Sequence, residues 1–64
     1  MTYRGKYGKY DITIDGMVMW WFRSYEKAKE KYDSLARYPD ELDGTLELVD
    51  RLNGEVLEVT EPED

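Results

Sequence analysis

Residues 10–22, YDITIDGMVMWWF, constrain the fold of this chain more than any other stretch. Apolar and polar residues alternate strictly from Lys9 to Ile14, which predicts a half-buried antiparallel strand. Asp15 and Gly16 follow, and both tolerate positive φ, so they predict a hairpin turn. The next strand is apolar on both faces, whereas one helix can cover only one face of a small sheet. We therefore expect an apolar surface of this hairpin to remain uncovered.

The register of this first hairpin decides which face of its second strand is buried, because a shift of one residue exchanges the two faces. A two-residue turn pairs Ile14 with Met17, and the residues that it buries are Met17, Met19 and Trp21. A three-residue loop with Gly16 as a bulge pairs Thr13 with Met17, and the residues that it buries are Val18, Trp20 and Phe22. We favour the bulged loop, because β-branched and aromatic residues fit a pleated core and methionine tolerates a variable contact surface.

Residues 24–38 predict an amphipathic helix that begins at Ser24, a residue type that caps helix N-termini. Apolar side chains recur at helical spacing, and charged residues fill the remaining faces. The apolar set consists of Tyr25, Ala28, Tyr32, Leu35 and Tyr38. Pro39 ends the helix, and residues 39–44 are expected to form an acidic loop.

A second hairpin is predicted around Asn53 and Gly54. A two-residue turn that closes Leu52 on Glu55 gathers four apolar residues on one face. These residues are Leu46, Leu48, Leu57 and Val59. The residues expected to point outward are Glu47, Val49, Val56, Glu58 and Thr60.

The predicted fold is α+β, with element order ββαββ: an antiparallel four-stranded sheet carries one helix packed across one face. A chain of 64 residues forms a single domain. Its segments are a flexible arm at 1–8, hairpin 1 at 9–23, the helix at 24–38, hairpin 2 at 45–60 and an acidic tail at 61–64. The longest uncharged apolar run is far too short for a membrane span, and cysteine is absent, so we expect a cytoplasmic protein with no membrane partner.

The composition argues against catalysis. The chain has no histidine and no cysteine, which removes the common general base near neutral pH, the imidazole ligand and the thiolate nucleophile. Asp43 and Gly44 are spaced as in a calcium loop, but Pro39 and Asp50 would then occupy the first and last ligand positions. We therefore expect no enzyme activity, no cofactor and no metal site.

Charge is distributed unevenly along the chain. Residues 1–38 contain eight basic and five acidic residues, whereas residues 39–64 contain ten acidic residues and one arginine. The net charges of the two parts are therefore about +3 and −9. A clustered negative field attracts basic surfaces and repels nucleic acid. The charge distribution therefore favours a protein partner with a basic surface.

The uncovered strip of hairpin 1 and the acidic residues together define the candidate partner-binding set. Apolar strips with polar rims occur at protein contacts, and aromatic residues are frequent hot spots there. The set consists of Tyr7, Met17, Met19, Trp21, Asp40, Glu41, Asp43, Glu47, Glu58 and Glu61. A homodimer through the same strip is an alternative use of it and would relieve the shortage of core.

The N-terminal segment TYRGKYGKY supports a different interpretation. It interleaves three cationic residues with three tyrosines, which is the composition of an arm that contacts phosphates while its rings stack on unpaired bases. The residues are Tyr3, Arg4, Lys6, Tyr7, Lys9 and Tyr10. Single-stranded nucleic-acid binding is therefore the alternative function, and the net negative charge opposes it.

Two stretches, DGMVMWWFRSYEKAKEKYDSL and LELVDRLNGEVLEV, resemble small proteins encoded by bacteriophages and other mobile elements. The likeness lies in the patterning of residues 9–60 and assigns no role to individual residues. In size, acidity and lack of catalytic groups the chain is similar to phage inhibitors of host machinery, including anti-CRISPR and other anti-defence proteins. This resemblance implies a non-enzymatic module that occupies a surface of a host protein in the host cytoplasm.

Overall fold

The computed structural model describes residues 8–63 and confirms the predicted α+β fold. Its elements are β1 (Tyr10–Ile14), β2 (Met17–Phe22), α1 (Tyr25–Ala36), a short 3₁₀ helix (Pro39–Glu41), β3 (Leu46–Asp50) and β4 (Glu55–Thr60). The strands form one antiparallel sheet in the order β2-β1-β3-β4. β1 and β3 therefore lie in its centre, and β2 and β4 are its edges. Residues 1–7 of the predicted arm and residue 64 of the predicted tail lie outside the described residues.

The core lies between α1 and one face of the sheet, which we call the inner face. Its fully enclosed members are Ile12, Ala28, Tyr32, Leu46 and Leu48. Burial of each large aliphatic side chain among them, namely Ile12, Leu46 and Leu48, stabilises the fold by about 1.5–3 kcal/mol. Ser24 caps α1 as predicted, because its Oγ accepts a hydrogen bond from the backbone N–H of Lys27 at 3.4 Å.

The helix ends at Ala36, two residues before the predicted boundary. Tyr38 has φ −125° and ψ 69°, since the residue before a proline is disfavoured in helical geometry. Its side chain is consequently exposed rather than part of the apolar helix face. The predicted acidic loop contains the 3₁₀ helix, which begins at Pro39.

The favoured turn of hairpin 1 is wrong, although part of its burial pattern is right. Ile14 pairs with Met17 across a two-residue turn in which Asp15 and Gly16 have φ of 53° and 84°. A two-residue type I′ turn requires positive φ at both of its central residues. Asp15 tolerates this geometry while its Oδ1 accepts a hydrogen bond from the N–H of Thr45 at 3.0 Å.

A register shift further along hairpin 1 restores the predicted aromatic side of the core. The pairing changes between Ile12 and Thr13, leaving Met19 as the extra residue of a bulge in β2. Trp20 therefore pairs with Ile12, and both Trp20 and Phe22 pack against the core. Val18, which was expected to accompany them, pairs with Thr13 on the other face and is exposed.

The tight turn predicted for hairpin 2 is also wrong. Asp50 pairs with Glu55, and four residues form the connecting loop. Oδ1 of Asp50 accepts a hydrogen bond from the N–H of Leu52 at 3.0 Å, and the backbone carbonyl of Asp50 accepts one from Gly54 at 2.7 Å. These bonds start the loop two residues earlier than the dipeptide at 53–54 suggested.

The longer loop leaves Val56 on its predicted face, and a second register shift between Leu48 and Val49 exchanges the faces of the β4 residues beyond it. Leu48 pairs with Glu58, and Glu47 pairs with Val59. Glu58 and Thr60 therefore point towards α1 instead of outward, and Val59 points outward instead of into the core. Leu57 occupies the bulge and packs partly against the core, as expected.

Candidate protein-binding surface

The face of the sheet opposite α1 carries the strongest candidate site, and we call it the outer face. Strand register assigns to it Asp11, Thr13, Val18, Trp21, Glu47, Val49, Val56 and Val59. All four valines of the chain lie on this face. No helix among residues 8–63 other than α1 is longer than one turn, and α1 packs on the inner face.

The apolar residues of the outer face lie mainly on the two edge strands. Val18 and Trp21 of β2 are 43% and 45% exposed, and Val56 and Val59 of β4 are 47% and 55% exposed. Two exposed apolar edges therefore flank the centre of the outer face, and exposed large apolar side chains that share one face of a small protein are candidates for an interaction site. The valines contribute area at little entropic cost, because their χ1 angle is already restricted in a strand.

A buried ion pair lies at the centre of the outer face. Nε of Arg51 donates a hydrogen bond to Oδ2 of Asp11 at 3.0 Å, and the two side chains are only 14% and 9% exposed. This pair connects the β3–β4 loop to the central strand β1. Three enclosed atoms here, Oδ1 of Asp11, Oγ1 of Thr13 and Nη1 of Arg51, have no hydrogen-bond partner within the described part of the chain.

Acidic residues from three segments gather at one end of the sheet, which we call the acidic end. The hairpin 1 turn and the start of β3 are joined by hydrogen bonds between Asp15 and Thr45 in both directions. The segment after β4 returns to the 3₁₀ helix, where the N–H of Glu63 donates to the carbonyl of Pro39 at 3.1 Å. The carboxylates brought to this end are those of Asp15, Asp40, Glu41, Asp43, Glu61 and Glu63.

The predicted apolar strip does not form a single surface. Trp21 lies on the outer face, opposite Asp11. Met17 is 67% exposed but pairs with Ile14, so it belongs to the inner side of the sheet at the acidic end. Met19 occupies the bulge and is 47% exposed. Tyr7, the remaining member, lies outside the described residues.

The predicted acidic set is divided in a similar way. Asp40, Glu41, Asp43 and Glu61 are exposed at the acidic end. Glu47 is half-buried on the outer face, opposite Thr13 of β1 and Val59 of β4.

Glu58 has a structural partner on the inner side. It forms an ion pair with Lys29 of α1, which also contacts Asp33 at 2.9 Å. Hydrogen bonds to Glu58 and then to Asp33 raise the pKa of Lys29 above its ordinary value. The ion pair between Lys29 and Glu58 therefore joins β4 to the helix.

A neighbouring buried phenol strengthens the same contact. Burial raises the pKa of Tyr32, although its hydrogen bond with Thr60 acts in the opposite direction. Because the Tyr32 hydroxyl shares a hydrogen bond with Thr60 and its ring is buried in the core, this contact helps to fix β4 against α1.

No group of three or more potential ligand side chains between residues 8 and 63 is arranged to hold a metal ion. An open depression along the solvent side of α1 is lined by Tyr25, Glu26, Lys27, Lys29, Glu30 and Asp33. No helix between residues 8 and 63 is long and apolar enough to cross a membrane.

Part of the arm proposed to bind nucleic acid lies within the described residues. Lys9 is exposed, but the ring of Tyr10 is half-buried and meets the ring of Tyr25 edge-on, with 5.6 Å between centroids. Tyr10 also packs against the core. Its ring is therefore engaged within the fold rather than presented for base stacking.

Sequence reasoning missed the valines of the outer face and the role of Arg51. Val59 was expected in the core, and Val49 and Val56 were expected outward without being assigned a function. One usable signal was present: all four valines are confined to strands, while the enclosed aliphatic residues are isoleucine, leucine and alanine.

No protein-family model, no curated protein and no solved structure matches this chain.

Proposed function

We propose that this chain is a non-enzymatic protein-binding module whose outer face docks on a partner that presents basic groups beside an apolar patch. One observation carries the proposal: the four valines and Trp21 share a face of the sheet that lies opposite the only long helix of residues 8–63. A two-layer domain encloses one sheet face, and the second face is available to a partner.

The two kinds of residue have different tasks in this proposal. The apolar edge residues supply binding free energy, and an interfacial tryptophan typically contributes about 2 kcal/mol or more when it is a hot spot. The carboxylates of the acidic end accelerate encounter with a basic surface and orient it, an effect that screening by salt weakens. Glu47 connects the two regions, because it lies on the outer face one residue after Leu46, where β3 begins.

The proposal also accounts for how such a module would act. A protein that binds by occupying a surface blocks whatever else uses that surface, which is the mode of the phage-type inhibitors that the sequence resembles. In such a complex the outer face would supply apolar contacts and the acidic end would supply negative charge. This combination suits a host protein whose basic surface ordinarily binds an acidic ligand.

The apolar part of the proposal is tested with a partner captured from host lysate and then purified. Val59→Ser removes an exposed valine of the outer face, and Leu52→Ser is the matched control, because Leu52 is 75% exposed but lies in the β3–β4 loop. We expect Val59→Ser to weaken binding by about tenfold, equivalent to about 1.4 kcal/mol, and Leu52→Ser to leave it unchanged. Equal losses in calorimetric titration would show that the outer face is not the docking surface.

The electrostatic part requires a second pair of variants with the same change in charge. Asp40→Lys with Glu41→Lys alters the acidic end, whereas Glu26→Lys with Glu30→Lys alters exposed positions on α1. We expect the first pair to lower the association rate about tenfold at low salt, with a smaller difference at high salt. If both pairs of variants slow association equally, the rate depends on net charge alone and the acidic end has no special role. Retention of single-stranded DNA or RNA in place of a protein would instead support the alternative function.

A further inference from the structure

β2 is an edge strand that lacks the charged residues and proline that commonly protect an exposed edge, and the bulge at Met19 is the protective feature that it has. Natural edge strands carry lysine, other charges or proline, because unpaired backbone groups invite another strand. β2 has the sequence MVMWWF, with no charged residue and no proline. β4, the opposite edge, contains Glu55 and Glu58 and is followed by Pro62. β2 is therefore the edge of the described sheet that is open to strand addition.

The side chains of β2 add to this tendency. Four of its six residues are exposed large hydrophobic residues, namely Met17, Val18, Met19 and Trp21. They lie on both faces of the strand, so a helix packing on one face would cover only some of them. A strand added at the edge places cross-strand neighbours beside both sets at once.

The distribution of charge indicates what kind of strand fits this edge. The hairpin 1 turn, with Asp15, lies at the acidic end of the sheet. The opposite end of β2 carries Lys9 and Arg23, because the N–H of Lys9 donates to the carbonyl of Phe22 at 2.9 Å and Arg23 directly follows Phe22. An antiparallel arrangement of two identical β2 strands brings the acidic end of one chain beside the basic end of the other. A parallel arrangement would bring like charges together.

We propose that β2 pairs antiparallel with β2 of a second copy of this chain, forming a continuous eight-stranded sheet. A two-fold axis near the middle of the strand makes the contact isologous and closed, so it ends at a dimer. The bulge at Met19 limits the regular pairing to short runs on either side of it, so the dimer forms at high protein concentration. The outer faces of both copies stay open, and the inference is therefore independent of the proposed function.

Sedimentation velocity across a concentration series tests this inference. We expect the mass to rise from the 7.6 kDa of one chain towards twice that value at high micromolar concentration. Met19→Lys places a charge at the centre of the edge and should raise the dimer dissociation constant at least about tenfold, whereas Val56→Lys on β4 should not change it. A parent chain that stays monomeric, or equal effects of the two variants, would overturn the edge-to-edge dimer.

Hydrogen exchange provides the second measurement and protects the test against a variant that fails to fold. In the parent chain, amide protection within β2 should increase with concentration while protection within β4 stays constant. Protection that is independent of concentration in both edge strands would contradict the proposal. If circular dichroism shows that Met19→Lys is unfolded, Met17→Lys replaces it, because Met17 is 67% exposed at the end of the same strand.

Discussion

Replacement of Arg51 by methionine is the sharpest test of how the outer face is built. The variant keeps most of the length and apolar stem of the side chain but removes the charge that meets Asp11. Nε of Arg51 lies 3.0 Å from Oδ2 of Asp11, and the carboxylate side chain is 9% exposed. Oδ1 of Asp11 has no hydrogen-bond partner among residues 8–63, so the variant, which removes the bond to Oδ2, leaves an enclosed carboxylate without its counter-charge.

The magnitude follows from the burial of this pair. Breaking a buried ion pair by removing one partner costs about 3–5 kcal/mol, and the residual exposure of both groups places this pair near the lower limit. A chain of 64 residues has a total free energy of unfolding of about 3–10 kcal/mol at about 0.05–0.15 kcal/mol per residue. Arg51→Met should therefore remove about 3 kcal/mol, which is about a third or more of the stability.

Removal of both charged partners should change the free energy of unfolding far less than removal of Arg51 alone. Asp11→Val combined with Arg51→Met replaces a partly satisfied ion pair by apolar groups that suit a strand and its neighbours. Such replacements are commonly neutral or stabilising, so the double variant should lie within about 1 kcal/mol of the parent. The two single variants and the double variant together form a cycle that isolates the coupling between Asp11 and Arg51.

Urea denaturation followed by tryptophan fluorescence measures these differences. With an m-value near 1 kcal/mol/M for a domain of this size, Arg51→Met should lower the midpoint by about 3 M. A decrease below about 0.5 M would refute the reasoning, because it would mean that the carboxylate of Asp11 stays hydrated. A double variant less stable than Arg51→Met alone would equally contradict it.

Two further predictions concern the inner face. Trp20→Ala should lower the free energy of unfolding by about 2–3 kcal/mol and Trp21→Ala by less than about 1 kcal/mol, because only Trp20 packs against the core; comparison of their urea midpoints checks this. The raised pKa values of Lys29 and Tyr32 stabilise the fold fully below their ordinary values of 10.5 and 10.0, and that contribution is lost as the pH rises above them. Tyr32→Phe should make the alkaline loss of stability shallower, and an unchanged slope as the pH rises above 10.0, the ordinary pKa of tyrosine, would contradict the assignment.

Periodicity was sufficient to predict the elements and their order. Alternation identified β1, and helical spacing after Ser24 identified α1, because both patterns follow from burying one side of a regular element. The enclosed residues Ile12, Ala28 and Tyr32 all belong to those patterns. The fold class therefore depends on local features that a single sequence contains.

The registers of the hairpins depend on contacts that local patterns do not contain. Asp15 adopts positive φ while bonded to Thr45, which is 30 residues away in the chain. The loop after β3 starts early while the side chain of Asp50 binds the N–H of Leu52. A bulge in each hairpin then changes the face of every residue beyond it.

The candidate site changed because of those two bulges. A sequence with regular pairing would place Met17, Met19 and Trp21 on one face, and only Trp21 lies on the outer face. Val59 moved from the predicted core to the outer face through the same effect in hairpin 2. A single extra residue in a strand exchanges the side chains of an exposed face, so the composition of that face is sensitive to bulges. The core is less sensitive, because it accepts Leu57 as a partly buried residue.

Valine-methyl NMR during titration with the purified partner tests the central claim most directly, because all four valines lie on the outer face. The account predicts that the methyl signals of Val18, Val49, Val56 and Val59 shift on binding, while those of the enclosed Leu48 and of Leu52 in the β3–β4 loop stay in place. Shifts at Leu52 with the valine signals unchanged would show that the partner binds elsewhere and would contradict the account.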